Sequence, residues 1–92
     1  MKKAAKLIVT GTVQGVFFRQ FIKDNAEKFG LKGFARNLET GDVEIIVEGD
    51  GENILKMIEE AKKGPTHAQI RNVSVEERKY SGDFKEFKVL RI

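Results

Sequence analysis

The stretch "GTVQGVFFR", residues 11–19, sets two glycines ahead of an apolar run that ends on an arginine. A glycine at position 15 frees the backbone for a tight, positive-φ path on which successive N–H groups converge. With a helix starting just beyond, the positive end of that helix adds to the same spot and makes an anion site. Arg19 would contribute a planar fork matched to two phosphate oxygens, a geometry lysine does not offer. Taken alone, the same residues also fit an ordinary strand–helix turn with Arg19 in solvent. They do not make a nucleotide P-loop, because no Gly-Lys-Ser/Thr follows to hold a triphosphate and its magnesium.

Other reactive groups are scarce. The chain has no cysteine, so it has neither thiolate chemistry nor a disulfide framework. His67 is its one histidine, in the polar loop "GPTHAQ", and a zinc site would lack ligands; no metal or other cofactor is expected. "GDGEN", residues 49–53, lacks the acidic spacing of a calcium loop and reads better as a turn followed by a helix cap. A net charge of +3 suits an anionic ligand but is too small to argue for nucleic acid.

Ninety-two residues bound the chain to one domain, residues 1–92. No apolar run approaches the ~18–20 residues of a membrane span. The opening "MKKAAKLIV" is too short for a signal peptide and lacks a cleavage site, so a cytoplasmic protein is expected. Abundant Lys and Glu, absent Cys and short connections point to a thermophilic source.

Hydrophobic periodicity supplies the elements that must position the turn. Residues 6–13 alternate, with Leu7, Val9 and Val13 on one side and Thr10 and Thr12 on the other, as in a half-buried strand. From residue 19 to 29 the period becomes helical. Phe18, Phe21, Ile22, Ala26 and Phe29 share a face, and Gly30 supplies a left-handed stop. "GFARNLETGDVEIIVEG" reads as a hairpin turning at residues 39–42, with Val43, Ile45 and Val47 inward. Asp50 is a suitable N-cap for a second helix with Ile54, Leu55, Ile58 and Ala61 inward. Its expected ion pairs are Glu52–Lys56 and Glu59–Lys63, and Gly64-Pro65 ends it. A strand over residues 70–80 and a short last strand within "FKEFKVLRI" complete the chain.

The order β-α-β-β-α-β plus one strand predicts a ferredoxin-like α+β sandwich, two helices on one face of an antiparallel sheet. The open face is expected to be polar, carrying Thr10, Thr12, Asn37, Glu44 and Glu48 or their neighbours. Arg36 should then point to the opposite face from Asn37, in a salt bridge or against a helix. Phe17, out of helical phase, is placed beside the turn.

Two long motifs carry a resemblance. In "VTGTVQGVFFR" the residues Gly11, Val13, Gln14, Gly15, Val16, Phe18 and Arg19, and in the hairpin Gly33, Phe34, Ala35, Asn37, Gly41, Val43 and Gly49, resemble the two signatures of the acylphosphatase family. Gly64-Pro65 and the Phe-rich last strand look like the family too, and the likeness spans nearly the whole chain. It implies hydrolysis of acyl phosphates to carboxylate and inorganic phosphate. By that resemblance Arg19, with backbone N–H groups of Gln14, Gly15, Val16, Phe17, Phe18 and Arg19 itself, binds the phosphoryl oxygens, and Asn37 holds the attacking water. The implied partner is a small acyl phosphate, without nucleic acid or membrane, acted on by a monomer.

A non-catalytic anion-binding or RNA-binding module of the same fold is the alternative. "KGFA", residues 32–35, matches the opening of an RNA-recognition signature. The match then fails, because Arg36 stands where a stacking aromatic belongs and the segment is the second strand rather than the third.

Overall fold

The structure, a computed structural model, describes residues 1–14 and 17–91. Seven elements follow one another: β1 (Lys2–Thr12), α1 (Phe18–Lys28), β2 (Lys32–Asn37), β3 (Val43–Asp50), α2 (Gly51–Lys63), β4 (Gln69–Arg78) and β5 (Phe87–Leu90). The five strands form one sheet in the order β4-β1-β3-β2-β5. Pairing is antiparallel throughout except at β5, which runs parallel to β2, so the sheet is mixed rather than purely antiparallel. This is the expected ferredoxin-like sandwich with an added strand. Among the described residues no helix is long and apolar enough to cross a membrane.

Alternate residues of the strands meet the apolar stripes of both helices. Leu7, Val9, Val43, Ile45, Val47 and Ala35 are fully buried with Phe18, Ile22 and Ala26 of α1 and Met57 and Ala61 of α2. Helix α1 stops as its sequence demands. Gly30 adopts φ 68°, the Leu31 N–H donates to the Ala26 carbonyl at 2.8 Å, and the Gly30 N–H to that of Glu27 at 3.1 Å. At the other end β1 shifts register against β4 between Thr10 and Gly11. Gly11 sits there at φ 147°, where a Cβ would lie 2.0 Å from the Gln69 carbonyl oxygen. Only glycine permits that approach.

Helix α2 departs from its expected details. Leu55 is 65% exposed and Met57 faces inward instead, because the stripe Ile54, Met57, Ile58, Ala61 follows the helical period and Leu55 lies off it. The Glu52–Lys56 and Glu59–Lys63 pairs do not form among the described residues. Lys62 pairs with Glu59 at 3.7 Å and Lys63 with Glu60 at 3.3 Å, each three residues apart. Asp50 occupies the N-cap position without a side-chain cap, its carboxylate turned to the N-terminal amine at 3.9 Å and Lys2 at 3.7 Å.

The open face of the sheet also differs from the expectation. Antiparallel partners share a face, and Asn37 is opposite Val43, so it belongs to the helix-facing side. Arg36, opposite Glu44, is on the open face, where its Nε donates to the Glu44 carboxylate at 2.6 Å, so the salt bridge forms but the helix-side position does not. Lys6 approaches the other oxygen of Glu44 at 3.6 Å. Glu48 is only 5% exposed. The chain between β4 and β5 covers it: Ser81 donates its N–H and its hydroxyl at 2.9 Å each, and Gly82 its N–H at 3.0 Å. Phe84 of the same segment packs edge-on against Phe34, centroids 6.0 Å apart.

Candidate active site

An open cleft of about 500 Å³ lies where the ends of β1, β2 and β5 meet the start of α1. Gln14, Phe17, Phe18, Arg19, Asn37 and Arg91 line it, with Val13, Gln20 and Val89. The structure therefore brings together Arg19 and Asn37 with three of the expected loop residues. The expectations for Gly15 and Val16 lie outside the described residues.

Helix α1 begins one residue earlier than its pattern suggests, at Phe18, with Phe17 at the cap position. Phe17 holds φ 59°, a left-handed conformation costly for a bulky residue, and leaves its ring 87% exposed at the cleft. Its carbonyl accepts the first helical bond, from the Phe21 N–H at 3.0 Å. The N–H groups of Phe18, Arg19 and Gln20 consequently have no intrahelical acceptor, and no side chain caps this end. Phe18 itself is a core residue, 1% exposed, so only its backbone has anything to offer a ligand.

Arg19 is half-buried and oriented by the far end of the chain. Its Nη1 donates to the Leu90 carbonyl at 2.7 Å. A guanidinium has five N–H donors, so this tether fixes its plane while leaving most of the fork for a ligand. Gln14 is tied differently. Its side-chain amide donates to the carbonyls of Leu38 and Asp42, each at 3.1 Å, which locks the end of β1 to the β2–β3 hairpin. What Gln14 can give an anion is thus its backbone N–H.

Asn37 closes the opposite wall. Its Oδ1 is buried and has no hydrogen-bond partner. A buried amide oxygen without a partner costs roughly 1–3 kcal/mol, so its position calls for a donor such as a water or a ligand group. Among the described residues the lining contains two guanidiniums and a helix N-terminus but no carboxylate, imidazole or thiol. Such a surface attracts an anion and has no side chain suited to proton abstraction. Among the described residues no cluster of three or more His, Cys, Asp or Glu could hold a metal ion.

Arg91, Val89 and Gln20 did not emerge from the sequence as site residues. Arg91 and Val89 arrive because β5 pairs in parallel with β2, Val89 beside Ala35 and Leu90 beside Arg36. Nothing in "FKEFKVLRI" states which strand it will join. Gln20 could have been found, since it follows Arg19 in the first turn of a helix that was already assigned.

Known proteins resemble this chain in sequence and in fold. The acylphosphatase family profile matches residues 5–89. An acylphosphatase of Pyrobaculum calidifontis is 45% identical over 87 residues, spanning 94% of this chain and 79% of the relative. The structure of an acylphosphatase from Coxiella burnetii superposes with a TM-score of 0.92 at 36% identity, covering 97% of this chain and 93% of that one. That of Bacillus subtilis gives 0.93 at 32% identity, covering 99% and 100%. A profile match across nearly the whole chain, with relatives matched along most of their length, shows that the chain belongs to the acylphosphatase family.

Proposed function

We propose that this protein hydrolyses acyl phosphates in the cleft between α1 and the ends of β1, β2 and β5, with Arg19 and Asn37 in the central roles. The observation that carries the reading is the pairing, in one cleft, of a tethered guanidinium at a helix N-terminus with a buried amide oxygen that has no partner. The remaining donors of Arg19 and the N–H groups of Phe18, Arg19 and Gln20, with those of Gln14 and Phe17, hold the phosphoryl oxygens. A water donates one hydrogen bond to Asn37 Oδ1, which aims its lone pair at phosphorus.

Attack forms the new P–O bond as the bond from phosphorus to the acyl oxygen breaks, and the electron pair leaves with the carboxylate. A carboxylate is a good leaving group, so no general acid is required. The proton of the attacking water passes to a phosphoryl oxygen, because an amide cannot accept it near neutral pH. Charge developing on the equatorial oxygens is met by fixed donors, the main catalytic contribution expected in phosphoryl transfer. The chemistry needs no metal ion in this scheme.

The test is phosphate release from benzoyl phosphate in excess chelator, comparing the wild type with Arg19→Ala and Asn37→Ala. The wild type should turn over, and each variant should lose about 10²–10³-fold in rate, as for removal of one preorganised donor. Near-normal turnover in either variant would remove that residue from the mechanism. A folded wild type without turnover would leave an anion-binding module.

A further inference from the structure

The two halves of the cleft stand on different parts of the chain. The turn into α1, with Arg19 just beyond it, leaves the end of β1, whereas Asn37 ends β2. Strand β1 pairs with β3 only as far as Val9, opposite Val43, and from Thr10 to Thr12 it stays with β4 on its other side. On the far side of β3, Asn37 is also opposite Val43. Beyond Val43, no strand pairing among the described residues links β1 to the hairpin turn.

The side chain of Gln14 spans that gap. Its Nε2 donates to the carbonyls of Leu38 and Asp42, each at 3.1 Å. These residues close the hairpin, since the Leu38 N–H donates to the Asp42 carbonyl at 2.8 Å. Leu38 directly follows Asn37. Both partners are acceptors, so the NH2 of the amide fits there and its oxygen does not. Gln14 is exposed, and its two bonds replace bonds to water at little net gain in stability. What they fix is the distance between β1 and the residue after Asn37.

We propose, on the acyl-phosphate reading above, that the Gln14 side chain is a positioning residue. By gripping the hairpin it sets Asn37, and the water Asn37 holds, in line with the phosphoryl group. The phosphoryl-binding half does not depend on that grip. Arg19 is tethered separately by the Leu90 carbonyl, and the free N–H groups belong to the start of α1. Reacting atoms must approach within about 3–3.5 Å, and a misplacement of about 1 Å can cost about 10²-fold in rate. Losing the Gln14 donors should therefore misplace the water and spare the binding of phosphate.

Gln14→Met keeps the length of the side chain without its donors. Turnover of benzoyl phosphate and inhibition by inorganic phosphate are to be compared in the wild type, Gln14→Met, Asn37→Ala and the double variant. Gln14→Met should lower kcat about tenfold or more and leave the inhibition constant of phosphate within about twofold. In the Asn37→Ala background the same change should cost less than about twofold, because no held water remains to be misplaced. Full multiplication of the two losses in the double variant would overturn the proposal, as a merely structural bond acts independently of Asn37. So would an unchanged kcat, or a phosphate constant that rises as kcat falls, which would make the side chain part of the phosphoryl-binding half. A folded wild type without turnover is a separate outcome: it removes the acyl-phosphate reading itself, and the positioning role with it.

Discussion

Asn37 shows how a single residue can be legible in type and misread in place. Strict alternation along β2 puts it beside Ala35 on the helix-facing side, and the register against Val43 agrees. Its polarity argued for the open face, because inward positions are ordinarily apolar. Functional groups tend to sit where such a rule is broken. Arg19 was legible as a residue of the cleft, which it lines. Its anchor was not, since the Leu90 carbonyl is a backbone atom 71 residues away and no side-chain pattern announces it. At this scale the proposed water-holding role predicts the behaviour of an isosteric change. Asn37→Asp keeps the shape but sets a carboxylate opposite the phosphoryl oxygens, so kcat should fall about 10²-fold or more, close to Asn37→Ala. Steady-state kinetics on benzoyl phosphate checks this, and a wild-type kcat would dissociate the amide from the reaction.

Among the elements, the periods of both helices and the alternation of β1 and β3 were legible, because their apolar residues face one side only. The misplaced details have local causes. Leu55 is apolar but stands off the stripe, and exposed leucines are common on helices. Glu48 sits at an outward position in β3 and becomes buried only because a segment 33 and 34 residues further on folds over it. Removing that carboxylate strands three donors at once. Glu48→Ala should therefore cost about 2–3 kcal/mol in stability, measured by urea denaturation. The alternative carbonyl of Glu48→Gln should recover part of the loss, since it still accepts from Ser81 or Gly82. If Glu48→Ala unfolds at the wild-type midpoint, the segment is held by the Phe34–Phe84 contact instead.

For the whole molecule, the family likeness and the order of elements were legible, whereas the place of β5 was not. Reaching it takes the chain from β4 at one edge to the far side of β2, four strand spacings or about 19 Å. Residues 79–86 span at most about 26–29 Å when fully extended, so the crossing has little slack. The cleft that β5 completes is cationic, on a chain of net charge +3, and this too has a measurable signature. Raising NaCl from about 20 to 500 mM should raise KM for an anionic acyl phosphate several-fold while kcat changes little, because screening weakens attraction before bound contacts. A KM flat in salt would mean that long-range charge contributes nothing to substrate capture. The Arg19–Leu90 tether carries one more consequence, for biosynthesis. A domain emerges from the ribosome N-terminus first, so Arg19 and Asn37 are available long before the strand that orients the guanidinium. On the proposed mechanism the nascent chain would thus carry both side chains yet remain idle until residues 87–91 are free to close the wall, and catalysis would begin only once synthesis has passed them.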